Sequence, residues 1–322
     1  MSTTKKKSLY IAEADEPEML DDELLVQVKA TALNRADLLQ KRGLYPPPQG
    51  ESSIMGLEMS GVVEKAGANT SGWRRGDRVF ALLPGGGYAE RVSIPAGMAM
   101  RIPDHFSFEE AAAVPEVFLT AYLNLFELGG LKPDHTVLIH AGASGVGTAA
   151  IQLVREAGAT SIVTAGSEEK RNTCISLGAS SAIDYKAGPF APDVLAATGG
   201  KGVDIILDFL GSSYWEQNME ALAIDGRLIV LATMGGNIVK DVDLGFMLRR
   251  RLQLIGSSLR SRSRADKIRL TAGFAAFALP LFEQGRLKPV IDSVWEWEKV
   301  NEAHQHMEKN RNTGKIILRV EQ

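Results

Sequence analysis

The stretch TVLIHAGASGVGTAAIQLVREAGA, residues 136–159, joins an apolar strand (Val137, Leu138, Ile139) to a glycine-rich turn (Gly142, Gly145, Gly147) and a helix rich in small residues. Such a turn leaves backbone N–H groups free and aims them at the helix start. An anion placed there gains hydrogen bonds and the favourable end of the helix dipole. A dinucleotide pyrophosphate is the anion expected. Ser144 stands where a strict G-x-G-x-x-G has its middle glycine, so the pattern alone is weak, and a tight turn without a ligand is the competing reading. The context strengthens it: a strand before, a helix after, small Ala149 and Ala150 for close packing, and further strand–helix units downstream. Thr148 rather than lysine follows the last glycine, which disfavours a nucleoside-triphosphate loop.

Working outward, residues 136–140, 161–165, 182–184, 203–209, 227–232 and 252–256 read as strands. Residues 145–157, 168–177, 192–197, 214–222 and 244–249 read as helices between them. Six strands with helical crossovers imply an α/β fold with a doubly wound, parallel, six-stranded sheet. Runs such as DIILDFL and RLIVLA are apolar on both faces, as a sheet covered on both sides requires. Upstream the pattern is β-rich: residues 23–31, 59–64, 77–82 and 88–94 are strand candidates punctuated by glycine and proline. Residues 34–42 form a short helix, followed by GLYPPPQG, an irregular loop because consecutive prolines cannot continue a helix. Residues 111–128 read as helix broken near Pro115. After about residue 258 the alternation stops, leaving helices over 267–283 (with Pro280 a possible break) and 300–309, and a strand over 315–320. This tail is too short to bury a core alone. The expected domains are therefore 117–258, which binds the dinucleotide, and a discontinuous β-rich module of 1–116 and 259–322.

The chain has 322 residues, 45% hydrophobic and 23% charged, with a formal net charge of -3. These are ordinary globular values, and the charge offers no global attraction to nucleic acid or an acidic membrane. The basic clusters Lys5–Lys7 and 249–251 read as solvated surface. No uninterrupted apolar run of about 18 residues is seen, so neither a transmembrane helix nor a membrane partner is expected, and the simplest compartment is the cytoplasm. One cysteine, Cys174, excludes an intrachain disulfide and a cysteine-rich zinc site. The five histidines are scattered and read as surface residues, His304 and His306 among them. No metal is expected.

The second strand of the dinucleotide unit selects the cofactor. NAD enzymes usually place an acid at its end, about 20 residues beyond the glycines. Here it ends Thr164-Ala165-Gly166-Ser167, followed by Lys170 and Arg171. A hydroxyl and a cation suit the 2′-phosphate of NADPH, which a carboxylate would repel. Glu168 and Glu169 have their own explanation as partners of a helix dipole.

The motifs ALNRADLLQKRGLYPPP, GLEMSGVVEKAG, GDRVFALLPGGGYAE, AAAVPEVFLTAY and HAGASGVGTAAIQL, with His304, Met307, Glu308, Asn310 and Gly314 near the end, resemble the medium-chain dehydrogenase/reductase superfamily. Within it they look like the zinc-free quinone oxidoreductase branch, nearest to the group induced by a tumour-suppressor transcription factor and its plant and bacterial relatives. The resemblance runs from about Ser8 to Leu318. It implies a Rossmann domain with a discontinuous GroES-like β-rich domain, NADPH as cofactor and a homodimer, with the segment 251–259 as a candidate edge strand. Zinc-dependent relatives carry cysteine and histidine at the positions of Asn34 and Leu57, and neither is present here. Relatives also begin with a further strand where this chain has MSTTKKK, so either the start is truncated or the module tolerates the missing strand.

By resemblance, Asn34 and Thr120 approach the nicotinamide and its ribose, and Ser144, Gly145 and Val146 hold the pyrophosphate. Gly166, Ser167, Lys170 and Tyr185 surround the adenosine 2′-phosphate; for Tyr185 an ordinary tyrosine at a strand end is the alternative. Leu210, Gly235 and Ser257 follow strands at the carboxyl edge, where such sheets bind ligands, and Asn312 closes over the cofactor. Tyr45 is the candidate wall of the substrate cleft, stacking on a quinone or else packing its own loop. With Asn34 it forms the candidate catalytic pair, whereas Asp37 and Glu58 read as structural hydrogen-bonding groups. The implied activity is metal-free NADPH:quinone reduction. The alternatives are reduction of α,β-unsaturated carbonyls (enones), and a non-enzymatic NADPH-binding structural or RNA-binding role. No nucleic acid partner is expected.

Overall fold

The structure, a computed structural model, describes residues 8–320; Lys5–Lys7 and the MSTTKKK start as a whole lie outside the described residues. The chain runs β1 (Glu23–Ala32), α1 (Arg35–Lys41), β2 (Glu58–Ala66), β3 (Arg78–Leu82), β4 (Arg91–Pro95), β5 (Ala99–Arg101), α2 (Phe108–Ala112) and α3 (Pro115–Tyr122). There follow β6 (Thr136–Ile139), α4 (Gly145–Glu156), β7 (Thr160–Ala165), α5 (Glu168–Leu177), β8 (Ser181–Asp184), α6 (Ala191–Ala197), β9 (Val203–Asp208), α7 (Trp215–Ala221), β10 (Leu222–Val230), α8 (Leu244–Arg250) and β11 (Gln253–Gly256). The chain closes with α9 (Arg264–Glu283), β12 (Ile291–Glu296), α10 (Val300–Glu308) and β13 (Lys315–Arg319). It divides into two compact units, residues 1–119 with 260–322, and residues 120–259.

The second unit carries a parallel sheet in the order β11-β10-β9-β6-β7-β8. Its central strands are fully enclosed: Val137, Leu138, Ile139, Ile205, Ile206 and Leu207 are all 0% exposed. Helices on both faces are what make such continuous apolar runs tolerable. Strand β10 starts earlier than its apolar run suggests, pairing Leu222 with Val203 before a bulge restores the register at Arg227–Ile205. Asp225, left-handed at φ 64, sits in that bulge.

In the first unit β1 is the hub. One edge pairs antiparallel with β2; the other pairs with β4 over Glu23–Gln27 and with β13 over Ala30–Ala32. The returning tail therefore completes the sheet that the first residues begin. It also contains an element that the loss of alternation after residue 258 does not suggest. Strand β12 lies parallel to β13 with α10 between them, so the strand–helix alternation resumes there. A short strand with Asp292, Ser293 and Glu296 in it carries too little apolar signal to stand out.

Two helical expectations need adjustment. Helix α9 continues through Pro280 to Glu283, because a proline in the last turn removes only one ladder hydrogen bond. Pro115 marks a boundary instead, taking the first position of α3, where its missing N–H costs nothing. The stretch Phe108–Leu128, which contains α2 and α3, is by length and composition the one described segment apolar enough to cross a membrane; 67% of its most apolar 18-residue window is buried within the protein, as in a core helix.

Phe106, Phe118, Phe274 and Phe282 form an aromatic cluster in the first unit, with Phe118–Phe282 centroids 5.0 Å apart and Phe106–Phe282 centroids 5.6 Å apart. Phe282 is 0% exposed. Phe282→Ala is expected to destabilise the protein by about 3–5 kcal/mol in urea unfolding; a loss near zero would show that α9 does not depend on this cluster.

Candidate functional site

In the second unit the glycine turn is held from behind. Ala141 adopts φ 49, a left-handed conformation that a side-chain-bearing residue takes only when its surroundings enforce it. The Gly142 N–H donates to the Thr164 carbonyl at 2.9 Å and the Ser144 N–H to the Ala141 carbonyl at 2.8 Å. A Cβ on Gly142 would stand 2.7 Å from Val163 Cβ, and one on Gly147 would stand 2.5 Å from the Ala141 and Gly142 carbonyl oxygens. The glycines are thus required by close approach. Ser144 is the N-cap of α4, its hydroxyl accepting from the Gly147 N–H at 3.1 Å. The first N–H groups of the helix, those of Gly145 and Val146, have no intrahelical acceptor and suit a pyrophosphate.

Just before this turn, His140 is wholly buried, which corrects the surface reading of the histidines. Its Nδ1 meets Thr164 Oγ1 at 3.0 Å and its Nε2 meets Asn218 Oδ1 at 2.7 Å. Only an N–H can face the Asn218 oxygen, so the Nε2–H tautomer follows. Burial lowers the imidazole to about 4, leaving His140 a neutral strut at the end of β6.

At the ends of β7 and β8 the structure brings Gly166, Ser167, Lys170 and Tyr185 together. A Cβ on Gly166 would lie 2.6 Å from the Tyr185 hydroxyl, so the tyrosine rests against the glycine. Ser167 caps α5, accepting from the Lys170 N–H at 3.3 Å. Arg171 is committed to Asp184 at 2.6 Å. Leu210 and Gly235 also meet, the Gly235 N–H donating to the Leu210 carbonyl at 2.8 Å. Asp208 fixes that corner by accepting from the N–H groups of Leu210 and Gly211 at 2.7 and 3.1 Å, and burial raises its carboxyl to about 6. Ser257 follows β11, its N–H donating to the Val230 carbonyl at 3.0 Å. Thr120 stands on α3, its carbonyl accepting from Asn124 Nδ2 at 2.7 Å.

In the first unit Asn34 belongs to a buried ionic network. The Lys315 ammonium donates to the Leu33 carbonyl, Asn34 Oδ1 and Glu58 Oε1, each at 2.7 Å. All three of its N–H bonds are thereby used. Asn34 Nδ2 donates to Glu58 Oε1 at 2.8 Å, which fixes the orientation of the amide. Glu58 Oε2 accepts from the Glu116 N–H at 2.8 Å. Asp37 caps α1, accepting from the Asn34 N–H at 2.7 Å and from the Tyr88 hydroxyl at 3.2 Å. Burial raises Asp37 to about 6 and Glu116 to about 8, with the Glu58 charge the second cause for Glu116. His304, also 0% exposed, packs edge-on against Tyr88 and is lowered to about 4 by burial. It too departs from the surface reading. Asn312 lies in the loop just before Lys315, and its Nδ2 donates to the Gly314 carbonyl at 2.9 Å.

Tyr45 is held by a different group. The Arg260 guanidinium lies 5.2 Å from the centroid of its ring and donates to its carbonyl at 3.2 Å. Arg260 also reaches the Pro84 carbonyl and Gln40 Oε1, so one face of the tyrosine is engaged by its own unit. Lys315, Glu116, Tyr88 and Arg260 are the site groups that the sequence reading missed. A usable signal existed for His304, which lies on the helix face of Val300, Ala303 and Met307, all buried.

Comparisons with known proteins bear on both units. Residues 177–318 match the family described as zinc-binding dehydrogenase, and residues 20–104 match the alcohol dehydrogenase GroES-like domain. The chain is 33% identical over 311 residues to the human synaptic vesicle membrane protein VAT-1 homolog, covering 92% of this chain and 78% of that one. It is 31% identical over 314 residues to the Bos taurus quinone oxidoreductase-like protein 2, covering 97% and 89%. Among solved structures it is similar to the quinone oxidoreductase of Thermus thermophilus, solved also as its NADPH complex, with TM-score 0.81, 32% identity, and 97% and 96% of the two chains covered. It is also similar to the CurK enoyl reductase, with TM-score 0.84, 27% identity, and 96% and 95% covered.

The zinc of the first description does not fit the donors present. Among the described residues no three His, Cys, Asp or Glu side chains group as a metal site. Beside Asn34 the positive charge is the Lys315 ammonium, and Leu57 offers only an alkyl chain. The Cys174 thiol is buried and raised to about 11. Lys315→Met is expected to lower stability by about 3–5 kcal/mol in denaturant titration, because Glu58 is left buried without its cation. Adding Glu58→Gln to that variant is expected to recover part of the loss; if it does not, the pair is not the energetic unit.

Proposed function

Because the chain belongs to the medium-chain dehydrogenase/reductase superfamily, among its quinone-oxidoreductase-like members, we propose that it is an NADPH-dependent quinone reductase that works without a metal. When bound, NADPH supplies a hydride. The N–H groups of Gly145 and Val146 hold the pyrophosphate and Ser144 shapes the turn around it. Gly166, Ser167, Lys170 and Tyr185 receive the 2′-phosphate, with the lysine as counter-charge. Leu210, Gly235 and Ser257 line the carboxyl edge, and Thr120, Asn34 and Asn312 orient the nicotinamide end. Tyr45 forms the wall of the substrate cleft, where its ring would stack on the quinone.

The observation that carries the reading is the saturated Lys315 ammonium between Asn34 and Glu58. It holds the amide still but has no N–H left for a substrate oxygen. Alcohol chemistry needs a Lewis acid for the alkoxide, and this donor set supplies none. A quinone makes a weaker demand, because its product oxyanion is delocalised. Catalysis then consists mainly of holding donor and acceptor in register. The similarity to the CurK enoyl reductase supports a second reading, reduction of α,β-unsaturated carbonyls by the same cofactor.

We further propose a cytoplasmic homodimer. Strand β11 is a sheet edge with Leu254 50% exposed, and α8 presents Leu244 and Leu248 at 71% and 78% exposure. An unpaired edge beside an apolar stripe is a ready template for pairing with a second copy.

Steady-state rates with a naphthoquinone and with an alkenal separate the two activities: preference for the naphthoquinone is expected, and turnover of the alkenal alone would overturn the quinone assignment. For the cofactor, Lys170→Ala is expected to raise the KM for NADPH by roughly tenfold while leaving that for NADH nearly unchanged, as loss of one charge-assisted hydrogen bond predicts. Equal effects on both would refute the 2′-phosphate assignment.

A further inference from the structure

We propose that Glu116 is the proton donor to the reduced substrate, an inference that rests on the reductase reading above and assigns a second half-reaction to a residue outside it. The residue is held where the other polar groups converge. Pro115 starts α3, and the next residue's N–H is locked to Glu58 Oε2 at 2.8 Å. The same carboxylate orients Asn34 and pairs with Lys315. Along α3 only Glu116, Thr120 and Tyr122 escape full burial. Glu116 is thus held in the network that orients Asn34, a residue assigned to the nicotinamide end.

The carboxyl of Glu116 makes no hydrogen bond to any described residue, whereas both oxygens of Glu58 are committed. Glu58 is occupied by Lys315, Asn34 and the Glu116 N–H. Asp37 accepts from Asn34 and Tyr88 on Oδ2 and leaves Oδ1 without a partner, but at 0% exposure it has no access to solvent. Half-buried Glu116 is therefore the carboxyl able to exchange its proton with solvent. The charges acting on it are Glu58 on β2, Asp37 on α1, Lys315 on β13, Arg260 ahead of α9 and Lys267 on α9. The two carboxylates favour its neutral form and the three cations oppose it. Arg260 is already spent on Pro84, Tyr45 and Gln40, and burial itself lowers Lys267. The balance, dominated by burial, leaves Glu116 at about 8, protonated at neutral pH.

The step balances. The quinone takes two electrons and one hydrogen nucleus from the reduced nicotinamide and becomes a hydroquinone monoanion. The O–H bond of Glu116 then breaks as a new O–H bond forms on that oxyanion. The product leaves as a neutral hydroquinone, and the Glu116 carboxylate recovers a proton from water. A phenol titrates at about 10, so transfer from an acid at about 8 runs downhill.

The test has one readout without cofactor and one with it. In the protein alone, infrared titration in D2O should show a carboxylic-acid carbonyl band that disappears near pH 8 and is missing in Glu116→Gln. With NADPH and a naphthoquinone, wild-type kcat should fall as pH rises through that value. Glu116→Gln should be lower by about a hundredfold at neutral pH and flat across the range, with the KM for NADPH unchanged. Glu116→Asp should keep both the band and the pH limb, and thermal melts check that each variant is folded. No Gln-sensitive band, or a Gln variant with the wild-type pH profile, overturns the proposal. If the protein turns over alkenals alone, the quinone reading fails by itself, and the same band and the pH limb measured with the alkenal still decide the role of Glu116.

Discussion

The first unit depends on one buried charge. An ammonium taken out of water costs several kcal/mol unless its hydrogen bonds are replaced. Lys315 is 3% exposed and replaces all three, with the Leu33 carbonyl, Asn34 Oδ1 and Glu58 Oε1. Those acceptors come from the end of β1, the N-cap of α1 and the start of β2. The lysine begins β13, so one contact ties the returning tail to the opening strands. Removing it would orphan Glu58, and with Glu58 the anchor of α3. The amide of Asn34 is thus rigid because charge satisfaction leaves it no other orientation.

The second unit reaches rigidity by different means. Its turn must keep backbone N–H groups unpaired, so the restraint has to come from behind. His140 is locked as one tautomer between Thr164 and Asn218, with Phe190 and Tyr214 edge-on at 4.8 and 4.9 Å. Ala141 is held left-handed, and a Cβ on Gly147 would stand 2.5 Å from the carbonyl oxygens of Ala141 and Gly142. Asp208 does the same for the loop after β9, drawing two N–H groups onto one carboxylate. Strain and buried polar groups are concentrated where a ligand needs a fixed frame.

How much of this was legible follows from what kind of signal each part leaves. The parallel sheet shows as uninterrupted apolar runs, and the glycine turn as a local spacing, so both could be read directly. The polar network could not. Lys315 meets Asn34 across 281 residues and Glu58 across 257, and a lysine at the head of a strand reads as ordinary surface. Tyr45 and Arg260 are 215 residues apart, so nothing local announces that a guanidinium covers the ring. His304 and His140 read as surface because histidine is compatible with either setting; for His304 the burial of Val300, Ala303 and Met307 was the available clue. Strand β12 was missed because its polar residues hide a parallel pairing that only β13 makes visible.

The same charge limits the chemistry open to the site. A metal stabilises an oxyanion because it keeps an open coordination position. An ammonium with three acceptors keeps none, so Lys315 fixes geometry without offering itself to a substrate. Negative charge formed on the substrate must be spread over the product or removed by a proton. The proposed quinone acceptor meets the first condition, because its reduced form is a delocalised phenolate. The second requires a group that is still protonated at neutral pH and still in exchange with water. Burial beside an ionised Glu58 raises Glu116 enough for the first requirement, and its incomplete enclosure meets the other. The same buried carboxylate, Glu58, thus pairs with Lys315 and helps to keep Glu116 neutral.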